Sequence, residues 1–185
     1  MRLPLITALA ILATPVWAHT GSGFHLHGWE DGMMHPLTGA DHLAAMVAVG
    51  LWAAFQGGRA LWALPLAFIL AMAAGAGLGH AGFVLPALET LIAATVLALG
   101  AVVAFGLSVP VTLSAALCGA FALVHGMAHG AEMPANAAGL AYGLGFLLAT
   151  AALHATGIVA GRFGATALRV AGAAVALAGL VFLAA

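Results

Sequence analysis

From Ala60 to Gly79 the chain carries no ionisable side chain, and apolar stretches of similar length recur to the C-terminus, separated by Gly, Pro or an isolated charge. Each is close to the roughly 20 residues a helix needs to cross a hydrocarbon core about 30 Å thick. The 185 residues hold four basic and five acidic side chains, a charged share of 5%, where a soluble domain has roughly 25%. So few charges cannot clothe a water-facing surface, and so apolar a chain does not stay disordered. The runs are continuous rather than alternating, which excludes the strands of an outer-membrane barrel. The pattern predicts an all-α, polytopic membrane helix bundle. Six transmembrane helices fall at about 36–57, 60–80, 86–107, 109–130, 136–157 and 165–184. Small residues at Gly75, Gly77, Gly79, Gly139 and Gly143 predict close helix packing.

The first 18 residues read as a signal peptide. Arg2 gives a positive start, Leu5 to Ala13 a short apolar stretch, and Val16-Trp17-Ala18 a small-residue cleavage pattern. An uncleaved anchor helix is the competing reading, but the apolar run is short for a span. Cleavage leaves an extracytoplasmic N-terminal segment, 19–35, followed by a six-helix transmembrane domain, 36–185. With the mature N-terminus outside, the turns at 57–59 and 107–109 and the loop at 158–164 are cytoplasmic. Arg59, Arg162 and Arg169 then all lie on the inner side, as the positive-inside rule requires. The expected location is a bacterial inner membrane, with both mature termini periplasmic.

All five acidic residues and eight of the nine histidines fall on the outer side in this arrangement. Counting 1.5 Å per residue from the inner helix ends puts His42 about 22 Å up, and His80, Glu89 and His125 about 27 Å up. Four helices thus bring polar groups to one layer, as along an ion path. The first constellation is His35-Pro36-Leu-Thr-Gly-Ala-Asp41-His42. On an unbroken helix His35 and His42 stand about 10 Å apart along the axis. Pro36 is expected to hold His35 extended, folded back toward Asp41 and His42. Of the adjacent Asp41 and His42, one is expected to ligate while the other orients an imidazole. The second is His125-Gly-Met-Ala-His129-Gly-Ala-Glu132, where i and i+4 histidines share a helix face and chelate one transition ion. Glu132 stays on that face until Pro134 ends the helix. Position 126 is Gly, so the His-Glu-x-x-His of zinc proteases is absent.

These two motifs resemble those of the HupE/UreJ family of nickel permeases, small membrane proteins associated with hydrogenase and urease maturation. The family's His-x5-Asp-His matches His35, Asp41 and His42, and the following Leu43 to Trp52 is similar too. Its second motif, Phe-His-Gly-x-Ala/Val-His-Gly-x-Glu, is matched by His125, Gly126, Ala128, His129, Gly130 and Glu132, with Val124 in place of Phe. That departure bears on packing beside His125, not on ligation. The resemblance covers the whole chain. It implies uptake of a metal ion into the cytoplasm, with nickel the usual cargo.

The site expected from both readings is shared by the first and fourth helices: His42, His125 and His129, with His35, Asp41 and Glu132 ligating or orienting imidazoles. Auxiliary candidates are His19, with its α-amine after cleavage, His25 and His27 before the first helix, His80, Glu89, and His154 near the inner end. His154 reads equally as an exit station or a snorkelling terminal histidine. Copper, cobalt or zinc are alternative cargoes, because imidazole suits all of them. The rival classes are a membrane-embedded metalloenzyme using the same cluster and a haem-binding electron carrier. Against the first stands the shortage of carboxylates for acid–base work; against the second, the crowding of histidines at one end. The single Cys118 rules out a multi-cysteine zinc site, and no prosthetic group is expected. A net charge of −1 gives no nucleic-acid footprint. Without lysine there is no nucleotide-binding loop, so transport runs down a gradient or is coupled to another ion. Membrane potential favours cation entry by about 2.3 kcal/mol per charge per 100 mV. The partners are therefore a divalent metal ion and the lipid bilayer; coupling and oligomeric state stay open.

Overall fold

The computed structural model describes residues 28–133 and 137–185; the signal segment, His19, His25, His27 and Pro134 lie outside them. Among the described residues seven α-helices follow one another: α1 Gly28–Thr38, α2 Ala40–Gln56, α3 Ala60–His80, α4 Leu88–Ala104, α5 Val111–Glu132, α6 Ala137–Ala160 and α7 Ala165–Ala184, with a 3₁₀ turn, Gly161–Phe163, before α7. The described residues contain no strand. The expected bounds 60–80 and 165–184 agree with α3 and α7, and the other helices differ by up to three residues at either end except at the first. Four helical segments, within 60–80, 111–132, 138–163 and 165–184, are long and apolar enough to cross a membrane. The bent pair α1–α2 makes a fifth, and α4 is a shorter apolar helix.

The expected first helix, 36–57, is the main difference. Gly28–Thr38 is already helical, overlapping the 19–35 segment, and the helix is interrupted at Gly39, where α1 and α2 meet at 80°. Gly39 is extended (φ −88°, ψ 110°). His35 is helical rather than extended, and Pro36 lies inside α1. Glycine-rich α1 has weak helix propensity, so tertiary packing sustains it. Gly28 and Gly32 lie so close to α6 that a Cβ on either would collide with the carbonyl of Ala138 or Tyr142.

The same device assembles the rest of the bundle. On the α3–α5 seam, a Cβ on Gly75 would strike the Leu123 carbonyl, and one on Gly126 would strike that of Met72. Gly79 and Gly130 meet Met127 and Ala76 in the same way. Gly50 and Gly157 join α2 to α6, while Gly100, Gly172 and Gly179 join α4 to α7. Without a hydrophobic driving force between helices in lipid, such backbone-to-backbone approach supplies the packing. Gly77 and Gly143 were expected among these seams and are not: Gly77 faces open space and Gly143 meets only Met133 Sδ. Met46, Val49, Trp52, Leu64, Phe68, Leu99 and Cys118 form the core. At one end of the bundle Arg169 reaches Gly106 beside Phe55, close to the Gly57–Gly58 turn and the 3₁₀ turn that carries Arg162. The two sequence motifs meet at the other end.

Candidate metal centre

The two histidines of α5, one turn apart, face α2 and are both buried, His125 at 0% and His129 at 4% exposure. His42, in the first turn of α2, stands between them. Its ring centroid lies 4.8 Å from that of His125 and 4.1 Å from that of His129. The break at Gly39 swings α1 across this end, so His35 reaches His129 at 4.9 Å. The axial separation that an unbroken helix would impose on His35 and His42 is thereby removed. Glu132, at the end of α5, closes the rim with Oε2 3.4 Å from His35 Nε2. Donor atoms of His35, His129 and Glu132 all lie within 4.8 Å of one another. Exposure falls steadily inward, from Glu132 (64% of the side chain) through His35 (34%) and His42 (12%) to the buried pair.

Hydrogen bonds decide which nitrogens are free. Asp41, second residue of α2, accepts from the His42 backbone N–H and from His42 Nδ1, both at 2.8 Å. A carboxylate only accepts, so Nδ1 carries the proton and Nε2 the lone pair. Asp41 thus orients its own neighbour. His125 is fixed from α4. The Thr95 hydroxyl donates its one proton to the Ile92 carbonyl at 2.7 Å, so it must accept from His125 Nε2–H at 2.8 Å. The lone pair of His125 is then on Nδ1. His42 Nε2, His125 Nδ1 and both ring nitrogens of His129 are buried with no hydrogen-bond partner among the described residues. Buried polar atoms left without partners are costly. Here their rings lie side by side on two helices, while the donor atoms found close enough to share one ion among the described residues are those of His35, His129 and Glu132.

Apolar rings surround the cluster. Phe146 of α6 packs 4.1 Å from His129 and 6.0 Å from His35, and Tyr142 lies 5.7 Å from His35. A cavity of about 260 Å³ between α3 and α6, lined by Met72, Ala76, Tyr142 and Phe146, reaches His129. Neutral imidazole lone pairs with carboxylates at the rim suit a divalent first-row transition ion. His80 and Glu89 were expected in the same layer; both are exposed at the ends of their helices and outside the cluster. His154 is not a snorkelling terminal histidine, because it is 1% exposed inside the bundle. Sequence reasoning missed Thr95, Phe68, Tyr142 and Phe146. Thr95 left one signal, as the lone hydroxyl between Leu91 and Ala104 of an otherwise apolar helix, but nothing local names its partner.

Fold and site together define a helical membrane protein with a cluster of histidines and carboxylates, able to hold a metal ion, beneath one end of its bundle. The chain matches the family described as HupE / UreJ protein over residues 7–182. It is also similar to Protein HupE of Rhizobium leguminosarum bv. viciae, with 46% identity over 184 residues, covering 97% of this chain and 96% of that one. The chain belongs to the HupE/UreJ family. No solved structure matches it.

Proposed function

We propose that this protein is a permease carrying a divalent transition-metal ion, nickel by family resemblance, into the cytoplasm, and that it is not an enzyme. The observation that carries the reading is the stack of buried, unpartnered imidazoles of His42, His125 and His129 next to donor atoms of His35, His129 and Glu132 that lie within 4.8 Å of one another. Glu132 and His35 receive the hydrated ion, and the three deeper imidazoles replace its water. The carboxylates of Asp41 and Glu132 offset the charge of a divalent ion. Nitrogen and oxygen ligands without thiolate hold such an ion and still release it.

In this reading the chain crosses the membrane six times. The bent α1–α2 pair is one crossing, and the 17-residue α4 covers about 25 Å. The segment 1–18 is removed as a signal peptide, both mature termini face the periplasm, and the arginine-bearing end faces the cytoplasm. The test is uptake by vesicles containing the purified protein, with nickel, cobalt, copper and zinc offered separately under an imposed potential, negative inside. Nickel should accumulate in wild-type vesicles and fail to do so with His129→Ala. Equal accumulation in both, or none of any metal, refutes the proposal.

A further inference from the structure

Below the cluster, α6 places a further, isolated imidazole in the inner half of the bundle. His154 is 1% exposed, and neither ring nitrogen has a hydrogen-bond partner among the described residues. Its backbone carbonyl lies against Gly50 in the middle of α2. Between this ring and the cluster stands Phe68 of α3, edge-to-face with His154 at 5.1 Å and 6.1 Å from His125. The two imidazoles are therefore one aromatic ring apart. On α6 the same face carries Phe146 against His129, then Thr150 one turn down, then His154 after another turn. Thr150 is fully buried and donates its proton to the Phe146 carbonyl at 2.9 Å, so its oxygen keeps lone pairs to accept or to ligate.

A histidine buried without partners in a bilayer is expensive, and packing alone would be served better by leucine or phenylalanine. Resting on the permease reading, we propose that His154 is an inner binding station for the transported divalent transition ion, with Phe68 as the ring that must move aside for the ion to reach it. One imidazole, with the Thr150 hydroxyl and water, holds such an ion more weakly than the three-imidazole cluster. That ordering suits release toward the cytoplasm. A station separated from the first by a movable ring also allows the ion to be handed on without an open pore.

The test uses the full-length protein in vesicles with Ni2+ as the probe, comparing wild type, His154→Leu, His154→Gln and His129→Ala. Equilibrium Ni2+ affinity of His154→Leu should stay within about twofold of wild type, while its initial uptake rate falls about tenfold or more. His154→Gln, which keeps a polar donor in similar volume, should transport at a rate between the two. If His154→Leu fails to insert, the glutamine variant carries the measurement, and a wild-type rate there overturns the inner station. A wild-type rate in His154→Leu does the same. So does a loss of affinity matching that of His129→Ala, because His154 would then belong to the outer site. Wild-type vesicles that take up no ion refute the permease reading instead. The inner site is then decided by the number of Cu2+ ions bound per chain at saturation, which must drop by one in His154→Leu and overturns the proposal if it does not.

Discussion

Replacing Thr95 by Val removes one oxygen from a residue that need never touch the metal, and the loss should appear as metal affinity. The hydroxyl donates to Ile92 and accepts His125 Nε2–H at 2.8 Å. Valine preserves the shape and leaves that N–H without a partner at a residue of 0% exposure. The unbound protein can lessen the cost by moving the proton to Nδ1 and turning the ring toward the unpartnered lone pair of the neighbouring His42 Nε2. The metal-bound protein cannot, because Nδ1 must offer its lone pair to the ion. The penalty therefore falls on the bound state. A buried donor without a partner costs about 1–3 kcal/mol, and each 1.4 kcal/mol is a factor of about ten in affinity. Nickel binding should weaken about 10- to 100-fold, the range seen when groups orienting a metal-bound histidine are removed. Thr95→Ser, which keeps the hydroxyl, should recover most of it. Calorimetric titration in detergent gives the affinities, and nitrogen NMR of labelled histidine reports the tautomer of His125 directly. Affinity of Thr95→Val within twofold of wild type, or an equal loss in the serine variant, would refute the assignment of Nδ1 as the ligating atom.

His42→Ala and His129→Ala should each cut nickel affinity severely, yet the double variant should lose much less than the sum in free energy, because ligands of one ion act together; simple additivity in the titrations would mean two independent sites. Gly126→Ala should lower the thermal midpoint in detergent by an amount corresponding to about 1–3 kcal/mol, since its Cβ meets the Met72 carbonyl, whereas Gly77→Ala, pointing into open space, should be neutral or stabilising; equal effects would contradict the α3–α5 seam. Nickel affinity should fall as pH drops through the range where imidazole takes up a proton, about 6.5 and below, because a protonated ring has no lone pair to give. A titration flat from about pH 7.5 down to about pH 4 would argue against imidazole ligands.

The burial gradient gives these tests a common physical frame. The rim carries groups that water still reaches, and the deeper imidazoles have exchanged water for apolar neighbours. On the proposed permease reading, an ion moving inward would gain nitrogen ligands as it loses hydration. Phe146, packed 4.1 Å from His129, covers that imidazole without offering it a hydrogen-bond partner.

Much of the architecture was legible because it depends on local quantities. Charge scarcity and the length of each apolar run dictate helices in a membrane. The 1.5 Å rise and 100° turn per residue put His125 and His129 on one face whatever surrounds them. The pairing of the two motifs followed from their common depth. Relations between distant segments were not legible. That Gly39 breaks the first helix, and so delivers His35, depends on α1 finding a glycine-lined seam against α6 more than a hundred residues later in the chain. Which nitrogen of His125 is free depends on a hydroxyl of α4, thirty residues earlier. Equal depth placed His80 and Glu89 beside the site, but depth says nothing of direction around the helix axis, and packing turned both outward. The same packing drew His154 into the interior. Composition and spacing specify which groups are available and how far apart they lie along one helix; only the backbone contacts between helices decide which of them meet.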